Sequence, residues 1–213
     1  MKFKFSILLI GLLLSFHAKS ISLIIPMDDS QKNHLKAYGI AFWVLENDIE
    51  VKWLLNYRGG SFLINHSSQI ENECMVRGVT SESITDAQAA AILDRIAQPD
   101  VNQDAVAMNK APKIAVYSPS NKQPWDDAVT MVLTYAEINY DIIYDEEIIN
   151  GELTDYDWLH LHHEDFTGQF GKFWRVYQNA PWYQQDVAIN RALAKNLGFL
   201  KVSEMKSFVT REI

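Results

Sequence analysis

Residues 113–144, KIAVYSPSNKQPWDDAVTMVLTYAEINYDIIY, decide the fold. Lys113 to Tyr117 holds the unbroken apolar run Ile114-Ala115-Val116, the pattern of a strand buried on both faces. Pro124-Trp125-Asp126-Asp127 then opens a helix, carried by apolar Val129, Val132, Leu133 and Ala136 at three- and four-residue steps. Tyr140 to Tyr144 reads as the next strand, and Trp158 to Leu161 as another. Strands joined through a helix over this length imply parallel pairing, because antiparallel neighbours can use a tight turn. The predicted fold class is α/β with parallel sheets.

The same grammar occurs upstream. Ile21-Ser22-Leu23-Ile24-Ile25 is a short apolar strand ended by Pro26. Asp28-Asp29-Ser30 signals a helix start ahead of Leu35, Tyr38, Ile40, Phe42, Trp43 and Leu45, so a helix is predicted to about Glu46. Glu50 to Tyr57 is a second strand, closed by Arg58-Gly59-Gly60-Ser61. Ile21–Tyr57 and Lys113–Tyr144 thus read as distant copies of one βαβ plan. Ile70 to Gly78 is a short helix, and Asp86 to Ala97 a stronger one with an Asp cap. Asn102 to Pro112 is polar and weakly patterned, which places an N-terminal α/β region at 21–101, a linker at 102–112 and a C-terminal α/β domain at 113–213.

Two helices, Gln184 to Asn196 and Val202 to Glu212, flank the breaker Gly198. No strand follows the second, which predicts that the C-terminal unit is incomplete, since an open sheet uses such a helix to cross to its next strand.

The first twenty residues read as a cleavable secretory leader. Lys2 and Lys4 precede the apolar run Phe5 to Phe16, and Ala18 and Ser20 have the spacing signal peptidase accepts. The run is too short to span a bilayer, which needs about 20 helical residues. The expectation is an exported chain, periplasmic or extracellular, with no transmembrane segment once the leader is removed. Cys74 is the single cysteine, so neither an internal disulfide nor lipid attachment behind the leader is available.

The net charge is −8, and the leader removes three lysines without any acid. Binding phosphate backbones depends on Lys and Arg displacing counterions, so nucleic acid is excluded as a partner. The remaining partner classes are a small molecule or an envelope protein; no cofactor is named by any motif.

The most distinctive polar stretch is Asp157-Trp158-Leu159-His160-Leu161-His162-His163-Glu164-Asp165. On a strand, His160, His162 and Glu164 share one face and His163 and Asp165 the other. Placed at the carboxyl end of a central parallel strand, these residues are candidates for ligand binding or acid–base work near neutral pH. The metal spacing His-Glu-x-x-His is missing, and hydrogen-bonded structural histidines are the competing reading. Arg58, Gly59 and Gly60 form a second candidate: paired glycines admit an anion to backbone N–H groups and Arg58 could clamp it, although Gly-Gly equally serves as a turn into Ser61 to Ile64. Asp28-Asp29 and Asp126-Asp127 read as helix caps, and Glu146-Glu147 as a solvated loop.

Phe166, Phe170, Phe173, Trp174, Tyr177, Trp182 and Tyr183 make an aromatic band, first read as helix packing and second as faces for sugars or a lid. Cys74, inside a predicted helix, reads as a buried small residue.

The runs Ile25-Pro26-Met27-Asp28-Asp29-Ser30-Gln31-Lys32-Asn33-His34-Leu35-Lys36-Ala37-Tyr38-Gly39, Trp53-Leu54-Leu55-Asn56-Tyr57-Arg58-Gly59-Gly60-Ser61-Phe62 and Trp158 to Gly168 resemble exported bacterial proteins commonly labelled asparagine synthetase B. The resemblance covers the mature chain as the N-terminal half of such proteins. It implies a flavodoxin-like, class I glutamine amidotransferase-like region at 113–213, with any nucleophile beyond Ile213. Asparagine synthesis itself is not expected: position 2 is Lys rather than Cys, and no Ser-Gly-Gly-x-Asp-Ser loop occurs. The functional expectation is a binding or scaffold module of the cell envelope, with an amidotransferase- or hydrolase-like enzyme as the alternative.

Overall fold

A computed structural model describes residues 21–119, 128–161 and 174–213. The chain is α/β and divides into two compact units between Lys110 and Ala111. No described helix is long and apolar enough to cross a membrane.

The first unit contains β1 (Ile21–Ile25), α1 (His34–Glu46), β2 (Val51–Leu55), β3 (Ser61–Asn65), α2 (Ser68–Val76), β4 (Glu82–Thr85), α3 (Asp86–Ile96) and β5 (Asp104–Met108). Its sheet runs β4-β1-β3-β2-β5, and every neighbouring pair is antiparallel. Direct parallel pairing of β1 with β2, expected from the βαβ reading, is therefore corrected. The two strands do point the same way, as a helical crossover requires, but β3 lies between them. The physical cause is the loop after β2. Asn56, Arg58, Gly59 and Gly60 all take positive φ, so the chain reverses at once and β3 occupies the slot beside β1. The turn reading of Gly59-Gly60 is the one this backbone adopts.

Both sheet faces are covered. Ile24, Leu54 and Leu63 pack with Ala89 and Ile96 of α3. On the other face Phe62 meets Tyr38 of α1 edge-on, with ring centroids 5.5 Å apart. Strand alternation places Leu23, Ile25 and Ile64 on that face, where all three are buried. Apart from the exposed end residues Ile21 and Asn65, β1 and β3 are buried on both faces, which explains why their sequences run apolar instead of alternating.

Four local expectations need correction. Glu146-Glu147, expected in a solvated loop, lies in the helix Asp145–Ile149, where Glu147 Oε2 accepts from Tyr144 N at 2.8 Å. Asn33, not Asp28, caps α1: its side chain accepts from Lys36 N at 3.1 Å. Asp28 instead accepts from Ser30 N at 3.1 Å in a turn, a local bond that the sequence does not distinguish from a cap. Thr85 rather than Asp86 caps α3, through a reciprocal pair with Gln88. Within 102–112, residues Asp104–Met108 form β5, paired from Leu55↔Asp104 to Val51↔Met108, so much of the expected linker belongs to the first sheet.

The second unit contains β6 (Ile114–Tyr117), α4 (Ala128–Ala136), β7 (Asp141–Ile143), α5 (Asp145–Ile149), a 3-10 turn (Glu152–Asp155), β8 (Trp158–Leu161), α6 (Trp174–Tyr177), α7 (Pro181–Asn196) and α8 (Val202–Glu212). Its three described strands run β7-β6-β8, both pairs parallel, as the 113–144 pattern predicts. All four residues of β6 are buried. Ala115, Tyr117, Ile143, Ile148 and Val209 form one core cluster, and Ala194, Val202 and Met205 another under α7 and α8. Gly198, at φ +83°, turns the chain between those helices.

Candidate functional site

The carboxyl ends of β1 and β2 lie at the same end of the first sheet, joined by Met27 N donating to Arg58 O at 3.1 Å. Arg58 donates through Nε to Asp28 Oδ2 at 2.7 Å, and through Nη1 and Nη2 to the two oxygens of Glu82 at 2.9 Å each. Nη2 also reaches Ser30 Oγ at 3.2 Å. The bidentate fork is the strongest geometry open to a guanidinium. Arg58, then Ser30, hold the Asp28 carboxyl well below the usual carboxylate range, while Glu82 and then Asp28 raise Arg58 further.

Gly59 passes directly over the β1 loop, where an added Cβ would meet Met27 O at 2.2 Å. Gly60 O accepts from Trp53 Nε1 at 3.0 Å. Buried Gln31 completes the cradle: its Nε2 donates to Pro26 O at 2.8 Å and Thr80 O at 3.2 Å, and its Oε1 accepts from Thr80 N at 2.9 Å. Arg58, Gly59 and Gly60 thus clamp three chain segments together. An incoming anion would have to displace a carboxylate already in the fork.

His160 lies on β8 in register with Val116. Leu159 faces the core cluster, whereas Trp158 and His160 share the opposite face, their rings 6.5 Å apart. Among the described residues β8 pairs only with β6, so the central position expected for the histidine-bearing strand goes to β6 instead. The reason is apolar content: Ile114-Ala115-Val116-Tyr117 buries every side chain, while Trp158-Leu159-His160-Leu161 leaves its two ends exposed. His162, His163, Glu164 and Asp165 lie outside the described residues, as do Phe166, Phe170 and Phe173. Among the described residues no group of three His, Cys, Asp or Glu side chains gathers for a metal ion.

One polar assembly was not foreseen. Tyr117, the last residue of β6, donates its hydroxyl to Asp145 Oδ1 at 2.7 Å. Lys206 of α8 reaches Asp145 Oδ2 at 2.5 Å and Tyr144 OH at 2.7 Å, and its Nζ sits 4.4 Å from the Tyr144 ring centroid. Burial pushes the Lys206 pKa below its ordinary value against the opposing pull of Asp145. Burial, followed by the Asp145 charge, pushes the Tyr144 phenol up. The four groups tie the carboxyl edge of the parallel sheet to α8. A signal was present in sequence: Lys206 follows Met205 on the stripe Val202, Met205 and Val209, where an apolar residue is expected.

Cys74 is fully buried, and burial raises its thiol to about 11. A nucleophile needs the thiolate, so this side chain is a packing residue. Comparison with known proteins places the chain beside none of them: no family model, no curated protein and no solved structure matches it.

Proposed function

We propose that the chain is an exported binding or scaffold module of the cell envelope, presenting the carboxyl end of β8 to a small molecule or an envelope protein. One observation carries this reading. Two polar assemblies among the described residues, Arg58 with Asp28 and Glu82, and Lys206 with Asp145, are committed to holding strand ends in place. Groups locked in this way make a rigid frame and are poor reactive centres. In sequence, His160 is followed just after β8 by His162, His163, Glu164 and Asp165, a run of donors and carboxylates, and open parallel sheets bind ligands beyond the carboxyl ends of their strands. The acidic charge and the leader pattern agree with a protein that works outside the cytoplasm and away from nucleic acid.

Fractionation of cells producing the full chain tests the export half, with recovery of a leader-cleaved product outside the cytoplasm expected. A thermal-shift screen tests the binding half: stabilisation by a ligand is expected and should vanish in His162→Ala/His163→Ala. Retention in the cytoplasm with the leader intact would refute the proposal.

A second reading, an amidotransferase- or hydrolase-like enzyme, is favoured by the β7-β6-β8 order, which sets the carboxyl ends of β6 and β8 side by side. Its nucleophile would have to be a residue other than Cys74. Release of ammonia from glutamine by purified protein would support it over the binding module.

A further inference from the structure

We propose that β5 is a pairing edge for a second copy of this chain. Two copies join antiparallel through Asp104–Met108, with Val106 facing its own counterpart across a two-fold axis. The inference goes beyond the ligand-binding reading and does not depend on it.

One row of side chains crosses the first sheet on its α1 face: Ile25 is opposite Phe62, Phe62 opposite Trp53, and Trp53 opposite Val106. Exposure rises along the row, from 0% at Ile25 and 2% at Phe62, through half-buried Trp53, to 39% at Val106. Tyr38 of α1 covers the inner end by packing on Phe62, and the outer end is bare. Among the described residues β5 pairs only with β2, and its Asp104, Val106 and Ala107 are exposed. Such an edge is complemented by another strand, which takes up the backbone groups and the apolar side chain together.

The two edges of this sheet differ. β4 is four residues long, carries Glu82 locked onto Arg58, and runs straight into α3. β5 is five residues long and has no lysine, arginine or proline to deter pairing. Its single acid, Asp104, stands at the end. Asp104 Oδ1 accepts from Ala105 N at 2.7 Å, an exposed bond that water or an incoming strand replaces at little cost.

The sequence Asp-Ala-Val-Ala-Met suits itself as the partner. Pairing centred on Val106 sets Asp104 against Met108, Ala105 against Ala107 and Val106 against Val106, so no two acids oppose one another. On the α1 face the row Ile25-Phe62-Trp53-Val106 then continues through the same four residues in reverse order. On the other face Lys52, beside Ala107, is 3.4 Å from Glu50, and their charges offset. Copies of a chain with net charge −8 repel each other, so they meet best along a stretch as nearly neutral as this one. The contact is self-complementary and closes after two copies.

Sedimentation velocity of the purified protein tests the proposal. A reversible dimer is expected at about 100 μM, dissociating on dilution, since one strand pair is a small interface. Val106→Lys, which places two positive charges across the axis, should weaken the dimer about tenfold or more, and Val106→Thr should keep it. The side chain is exposed, so both variants should melt with the wild type. A second measurement is cross-linking by bismaleimidoethane. Val106→Cys should give a covalent dimer and Ser83→Cys, on the β4 edge, should not, with buried Cys74 silent in both. A wild type that stays monomeric, a dimer unaffected by Val106→Lys, or equal cross-linking at both edges overturns the proposal.

Discussion

Lys206 Nζ lies 2.5 Å from Asp145 Oδ2, with the carboxylate wholly buried and the lysine nearly so. Such a pair is costly to desolvate, and its partners Tyr117 and Tyr144 supply the hydrogen bonds that make the burial tolerable. It fastens α8 to the carboxyl edge of the parallel sheet, beside the apolar packing of Val209 on Ala115, Tyr117 and Ile143.

Removing one member should leave the other charged and buried. Lys206→Met and Asp145→Asn are each expected to destabilise the second unit by about 3–5 kcal/mol, read from denaturant midpoints. The double variant should cost clearly less than the two added together, because neither charge then remains. Strict additivity would show that the two residues do not act as a pair.

The Arg58 clamp makes an acid-side prediction. Asp28 is held below its unfolded pKa of about 3.9, so its contribution is fully present above that pH and is lost as pH falls from there through the lower folded value. Asp28→Asn should flatten the acid limb of the first unit's stability profile. The effect will be small, since both partners are about a third exposed and solvent screens them. An unchanged acid limb would mean that the Arg58 contact contributes nothing.

Two glycines with positive φ should respond unequally to alanine. At Gly78 an added Cβ meets nothing within 4 Å, so only backbone strain of about 1–2 kcal/mol is expected. At Gly59 it meets Met27 O at 2.2 Å, a backbone atom that cannot move aside. Gly59→Ala should therefore lower the melting temperature much further than Gly78→Ala, and equal shifts would contradict the close approach.

Cys74 should be silent to thiol reagents while the protein is folded. With its thiol raised to about 11 by burial, dithionitrobenzoate at pH 8 is expected to react only after denaturant is added. Immediate reaction in native buffer would place the thiol at the surface.

The parallel sheet was legible because Ile114-Ala115-Val116 is apolar without interruption and its connections are long. The position of β3 was not, since periodicity reports which face a residue takes and is silent on strand order. Residues 104–108 escaped for a related reason: Asp-Ala-Val-Ala-Met has little strand propensity of its own, and β2 supplies the edge that makes it a strand. Asp28 misled because one side-chain oxygen can cap a helix or close a turn with the same local sequence. Lys206 was passed over because a charge on a terminal helix reads as solvent-facing until a buried carboxylate 61 residues away is placed beside it.

The most direct test of the binding-module account is photocross-linking in intact cells. Benzoylphenylalanine placed at position 163, with exposed Asp29 as the control position, would be followed by intact-mass analysis of the protein from the envelope fraction. The account predicts a discrete added mass at 163, from a small molecule or a protein, and none at 29. Recovery of unmodified protein at both positions, or of the protein only in the cytoplasm, would contradict it.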